Sequence, residues 1–294
     1  MTNTTAVVQT VTYTVTPTGP APSLCLGTPQ IVTVTVNPTP SMTSPNAQTI
    51  CSGTAVNIPL TSNVAGSTFS WIAAANANVT GESTTAQTST TINDNLVNTT
   101  TVAQTVTYTV TPTGPAPSFC PGTPQVVTVT LNPTPSMTSP NAQTICSGTA
   151  VNIPLTSNVA GTTFSWIAAA NGNVTGESTT AQTTATINNN LINTTAVVQT
   201  VTYTVTPTGP APSLCPGTPQ VVTVTVNPTP VMTSPNAQTI CSGTAVNIPL
   251  TSNVAGSTFS WIATANANVT GESLTAQTTA TINNTLTNTT AVVQ

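Results

Sequence analysis

Four carboxylates are the only charged side chains in this chain of 294 residues: Glu82, Asp94, Glu177 and Glu272. There is no Lys, Arg or His. Acid–base catalysis needs a titratable pair or a base beside a nucleophile, and a lone Glu in each stretch of sequence supplies neither. Asp94 is replaced by Asn at the corresponding positions 189 and 284, so it is not a repeated site. Calcium prefers several clustered oxygen ligands, and Glu82, which follows Gly81, reads as a solvated loop residue. The six cysteines, Cys25, Cys51, Cys120, Cys146, Cys215 and Cys241, form no CxxC pair and have no histidine to share a metal with. They are disulfide candidates instead. We therefore expect no enzyme, no cofactor and no metal site.

The missing cations exclude further classes. Contact with a phosphate backbone depends on Lys or Arg releasing counterions, so no nucleic-acid partner is expected. Attraction to an anionic membrane surface fails for the same reason. No apolar run approaches the roughly 20 residues that span a bilayer, so no membrane insertion is expected in this segment. Met1-Thr2-Asn3-Thr4 shows no basic or apolar leader pattern. The apolar fraction is 37% and is gathered into alternating Val, Ile and Tyr runs, which argues for a packed core rather than disorder.

Those runs recur. Cys25, Cys120 and Cys215 are spaced by 95 residues, as are Trp71, Trp166 and Trp261, and Tyr13, Tyr108 and Tyr203. Residues 38–132 and 133–227 differ at only ten positions, among them Ser67/Thr162, Val97/Ile192 and Phe119/Leu214. The Asn-Pro-Thr-Pro segments at 37–40, 132–135 and 227–230 read as linkers, because proline stiffens a junction and stops strand pairing. This gives four parts: the C-terminal strands of one repeat (1–37), two complete repeats (38–132 and 133–227), and the N-terminal part of another (228–294). Both ends fall at the same phase of the repeat, as in a window cut from a longer array.

Within one repeat, Thr105–Thr111 and Val126–Leu131 alternate apolar and polar residues with period two. Val56–Leu60 and Thr68–Ile72 are two further strands, with turns at Cys51-Ser52-Gly53, Ala65-Gly66 and Gly114-Pro115. Several short strands separated by regular turns specify an all-β chain of tandem Greek-key β-sandwiches in a linear array. Trp71, Trp166 and Trp261, with Tyr13, Tyr108 and Tyr203, are expected in the cores. Matches to the Asn-x-Ser/Thr acceptor pattern, such as Asn78 and Asn98, are mostly a product of composition.

The set Gln48-Thr-Ile-Cys51-Ser-Gly53, Phe69-Ser-Trp71, Val106-Thr-Tyr108-Thr-Val110, Cys120 and Val126-Val-Thr-Val resembles the PKD-like, immunoglobulin-like repeats of Bacteroidota surface proteins. The resemblance covers the whole chain. It implies a secreted, cell-surface location and a structural or adhesive role in a filament, a stalk or a giant adhesin. It also tips the disulfides toward pairing within a repeat, Cys51–Cys120 and Cys146–Cys215. Strand order argues the other way. Cys51 and Cys120 fall at opposite poles of a simple sandwich, whereas stacked repeats bring Cys51 opposite Cys215. The expected partners are neighbouring repeats of the same or identical chains. Surface glycans are the alternative, as are tail strands 1–37 donated to the incomplete part 228–294 of another copy.

Overall fold

A computed structural model describes all 294 residues. Every regular element is a β-strand. The chain divides into two compact units. The first holds Met1–Ser136 with the loops Ser157–Thr163 and Pro207–Thr218, and the second holds Met137–Thr156, Phe164–Thr206 and Pro219–Gln294.

In the first unit, residues 38–132 form a whole sandwich. One sheet has four strands in the order Ala47–Cys51, Gln125–Asn132, Gln104–Thr113, Thr68–Ala73. The two central strands make an antiparallel hairpin that pairs Val106 with Val129 and Tyr108 with Val127. Thr68–Ala73 joins antiparallel on one side, with Val110 opposite Trp71. Ala47–Cys51 joins parallel on the other, with Cys51 opposite Asn132. The facing layer is built of shorter pieces: Thr54–Ala55, Asn95–Asn98 and Val79–Thr80 form one small sheet, and Ile58–Pro59 pairs with Thr91–Ile92.

Alternation explains the core. Val106, Tyr108 and Val110 face inward from one central strand, and Val127, Val129 and Leu131 from the other, all essentially inaccessible to water. The threonines between them face out. Trp71 packs edge-on against Tyr108, with ring centroids 5.7 Å apart, an arrangement that aromatic quadrupoles favour. Its Nε1 donates to the Ser89 carbonyl at 3.2 Å, so the buried indole keeps its hydrogen bond.

The tail at 1–37 keeps only the hairpin Gln9–Val15 with Gln30–Val36, in the same register. No second layer covers it. Tyr13 is 44% exposed where Tyr108 is 0%, so Tyr13 is not a core residue in this structure. Residues 37–40 are not a free spacer: Pro38 and Pro40 are both buried. Gly122 explains part of this, since a Cβ there would strike the Pro40 carbonyl oxygen.

In the second unit, the strands of 133–227 repeat the sandwich, with Ala142–Cys146 parallel to Gln220–Asn227 and Trp166 buried against Tyr203. Residues 228–294 keep the small layer: Thr244–Ala245, Ile248–Pro249, Val269–Thr270, Thr281–Ile282 and Thr285–Asn288. Residues 237–241 and 258–263, which match the edge strands Ala47–Cys51 and Thr68–Ala73, form no strands there. Both edges bond to the central hairpin in a whole repeat, and without that hairpin they have no partner. Trp261 is consequently half-buried, not enclosed as Trp71 is.

Candidate functional site

The cysteines are placed by two kinds of local structure. Cys51, Cys146 and Cys241 each precede a tight Ser-Gly turn, and the Thr three residues on donates its hydroxyl to the cysteine carbonyl at 2.6 Å in every case. Cys25, Cys120 and Cys215 each close a proline-rich loop. There the cysteine carbonyl accepts from the amide of Gly19, Gly114 or Gly209 at 2.8 Å. A cis Ala-Pro bond lies at Ala21-Pro22, Ala116-Pro117 and Ala211-Pro212. The residue before the cysteine has positive φ: 41° at Leu24, 47° at Phe119 and 48° at Leu214.

Cys51 is bonded to Cys215, with the two Cα atoms 5.5 Å apart at a sequence separation of 164. Both belong to the first compact unit. The bond ties the turn of repeat 38–132 to the proline-rich loop of repeat 133–227. Cys215 is 1% exposed within it. The pairing Cys51–Cys120 suggested by the resemblance is not formed, and neither is Cys146–Cys215. The reason is strand geometry. Cys51 lies beside Asn132 at one end of Gln125–Asn132. Cys120 precedes Pro121, which bridges to Thr113 beyond the other end. Eight residues of strand separate the two levels, about 25 Å, against the ~4.4–6.8 Å that a disulfide spans. Cys25, Cys120, Cys146 and Cys241 are unpaired within the chain.

The carboxylates serve the backbone. Glu82 is half-buried, not solvated as its sequence context suggests, and its Oε1 accepts from the Asn76 amide at 2.9 Å. Glu177 and Glu272 accept from Asn171 and Asn266 in the same way, each at 3.1 Å. Asp94 is buried and holds three donors: the Ser83 amide and hydroxyl, each at 2.7 Å, and the Tyr108 hydroxyl at 3.0 Å. Burial foremost, then the Asp94 carboxylate, holds the Tyr108 phenol far above its ordinary value. Burial, then Glu177, does the same for Tyr203.

Asn98, an apparent glycan acceptor, is also structural. Its Nδ2 donates to the Val102 and Leu131 carbonyls at 2.8 and 3.1 Å, and its Oδ1 accepts from the amide and hydroxyl of Thr100. The Asn-x-Thr spelling there is the signature of a side chain closing its own turn. No group of three or more His, Cys, Asp or Glu converges on a metal-sized site. No helix is long and apolar enough to cross a membrane.

These features define a tandem array of immunoglobulin-like β-sandwiches. The chain belongs to the PKD-like domain family, whose model matches residues 1–40, 48–135, 143–230 and 238–294. Among solved structures it is similar to mouse cadherin-23 EC22-24, at 13% identity over 84% of this chain and 88% of that one, with a TM-score of 0.34. It is also similar to the I-band fragment I67-I69 from titin, at 8% identity over 85% and 88%, with a TM-score of 0.37. A comparison with characterised proteins found no significant match.

Proposed function

We propose that this chain is a non-catalytic structural repeat segment of an extracellular filament, stalk or giant adhesin, of the kind carried by Bacteroidota. The Cys51–Cys215 disulfide carries the reading, because it joins successive repeats rather than stapling one. A bond of that kind resists separation of neighbours, which a load-bearing array needs, and disulfides persist in oxidising compartments outside the cell. The buried prolines at 38 and 40 stiffen a junction in the same sense. The test is imaging of source cells with an antibody against the repeat. Label on threads outside unpermeabilised cells supports the reading, and label only after permeabilisation contradicts it. Retention of the chain on a glycan array would instead favour the alternative, an adhesin whose repeats bind surface glycans.

A further inference from the structure

We propose that Asn171 is a self-modifying site: its side-chain amide closes on the Gly172 nitrogen and hydrolyses, without an enzyme, to aspartate and isoaspartate. Repeat 133–227 thereby ages apart from repeat 38–132.

Asn171-Gly172 is the only Asn-Gly pair in the chain, and the corresponding pairs are Asn76-Ala77 and Asn266-Ala267. The pair opens a tight turn in which the Val174 amide donates to the Asn171 carbonyl at 2.9 Å. Two features of that turn prepare the ring closure. The Asn171 Oδ1 accepts from the Asn173 amide at 3.0 Å. That donor polarises the side-chain carbonyl and stands ready for the oxyanion that forms when Cγ is attacked. Gly172 is exposed, and its nitrogen donates to no acceptor. Nothing in the fold requires glycine here: a Cβ would meet no atom within 4 Å, and φ lies outside the left-handed region. What glycine does is remove the Cβ that shields the attacking nitrogen.

The reaction needs no partner but water. A water or hydroxide takes the Gly172 amide proton, and the nitrogen lone pair forms a bond to Cγ. The bond from Cγ to Nδ2 breaks, and Nδ2 leaves with a returned proton as ammonia. Water then opens the cyclic imide. Attack at Cγ restores the peptide and gives aspartate. Attack at the Asn171 backbone carbonyl carbon gives isoaspartate, with the chain running through Cγ. Nothing is oxidised or reduced, and the net change consumes one water and releases one ammonia.

The consequence follows from what Nδ2 holds. It donates to the Thr200 carbonyl at 3.0 Å and to the Gln199 Oε1 at 3.3 Å, which ties the turn to the start of Gln199–Thr208. These bonds slow the departure of ammonia and are lost with it. A carboxylate at 171 sets acceptor against acceptor there. It also adds a negative charge beside Glu177, whose Oε1 accepts from the Asn171 amide at 3.1 Å. In repeat 38–132 the same tie, from Asn76 Nδ2 to the Thr105 carbonyl at 3.0 Å, persists behind the Cβ of Ala77.

The experiment ages the full chain in warm, mildly alkaline buffer beside Gly172→Ala, which installs the residue that the same turn already holds at Ala77. Chymotryptic peptides are then weighed and separated. The Asn171 peptide should gain the mass difference between an oxygen and an NH group and split into two products, while the Asn76 peptide stays unchanged. Gly172→Ala should slow Asn171 to the rate of Asn76. Amide exchange should quicken at the start of Gln199–Thr208 in the converted chain, and not along Gln104–Thr113. Equal conversion at Asn76 and Asn171, conversion at neither, or undiminished conversion in Gly172→Ala overturns the site. Unchanged exchange in a converted chain overturns the ageing of the repeat.

Discussion

The Tyr108 hydroxyl donates to the Asp94 carboxylate at 3.0 Å in one repeat, and in the next the equivalent Tyr203 hydroxyl, equally buried, has no partner. The difference is one residue. Asn189 stands where Asp94 stands; its Oδ1 accepts from the Ser178 amide and its Nδ2 donates to the Ser178 hydroxyl, so the serine hydroxyl, which as Ser83 donates to Asp94, here accepts. The carboxylate could serve three donors at once, and the amide serves the serine alone.

Restoring the acid should therefore repair the third repeat. Asn189→Asp is expected to stabilise it by roughly 1–3 kcal/mol near neutral pH, the cost of a buried hydroxyl left without a partner. Asp94→Asn should destabilise the second repeat by a similar amount. Amide hydrogen exchange along Gln104–Thr113 and Gln199–Thr208 reads the two changes separately. No change in protection at either strand would contradict the assignment.

The same tyrosines set an alkaline limit. Their folded pKa values are raised above the ordinary 10.0, chiefly by burial. The folded state thus holds the phenolic proton more tightly, and this contribution is complete below the unfolded pKa and is lost as pH rises beyond it. Circular dichroism should be flat from about pH 5 to 9, where almost nothing else titrates, and unfolding should begin above about pH 10. Loss of structure on mild acidification to about pH 6 would contradict this.

Expression in a glycosylating host should separate the acceptor patterns by burial. Asn78 and Asn173 are exposed and should carry glycans. Asn98 and Asn193 should not in folded protein, because their Nδ2 atoms are spent on the Leu131 and Val226 carbonyls inside the sandwich. Mass spectrometry of glycopeptides decides the matter, and occupancy at Asn98 equal to that at Asn78 would be the adverse result. For the same reason Asn98→Ala should cost roughly 1–3 kcal/mol.

Phe119 and Leu214 occupy left-handed backbone while their side chains point into solvent. Such a conformation costs a branched or bulky residue about 1–2 kcal/mol, and Asn tolerates it better. Phe119→Asn and Leu214→Asn should each raise the midpoint of chemical unfolding for their repeat. A drop would mean that the apolar side chains make contacts worth more than the backbone relief.

How much of this could be read from sequence depends on the length of each signal. The hairpin Gln104–Thr113 with Gln125–Asn132 was legible to within two residues, because alternating Val and Tyr residues leave a long period-two trace. The facing layer was not, since pieces such as Thr54–Ala55 and Thr91–Ile92 are too short to have a period. Val56–Leu60 reads as one strand, but only Ile58–Pro59 pairs; Val56, Ile58 and Leu60 are buried all the same, so the pattern reported burial rather than pairing. Asp94 reads in sequence only as a site that is not repeated, because it varies between copies, and its role depends on a tyrosine 14 residues away that only the fold brings near. The Cys51–Cys215 clasp was the harder case. Resemblance favoured pairing within a repeat, and the opposing cue lay in strand order, which places Cys51 and Cys120 at the two ends of one strand.

Mechanical extension of a single chain tests the load-bearing clasp most directly. A variant carrying Cys25→Ser, Cys120→Ser, Cys146→Ser and Cys241→Ser, which keeps only Cys51 and Cys215, is pulled from its two ends with and without reductant. With the bond intact, the chain between these cysteines, a sequence separation of 164, cannot extend, so reduction should add roughly 540–590 Å of contour length at about 3.3–3.6 Å per residue. Equal contour lengths in the two conditions would show that successive repeats are not clasped, and the account of this chain as a covalently reinforced structural array would be wrong.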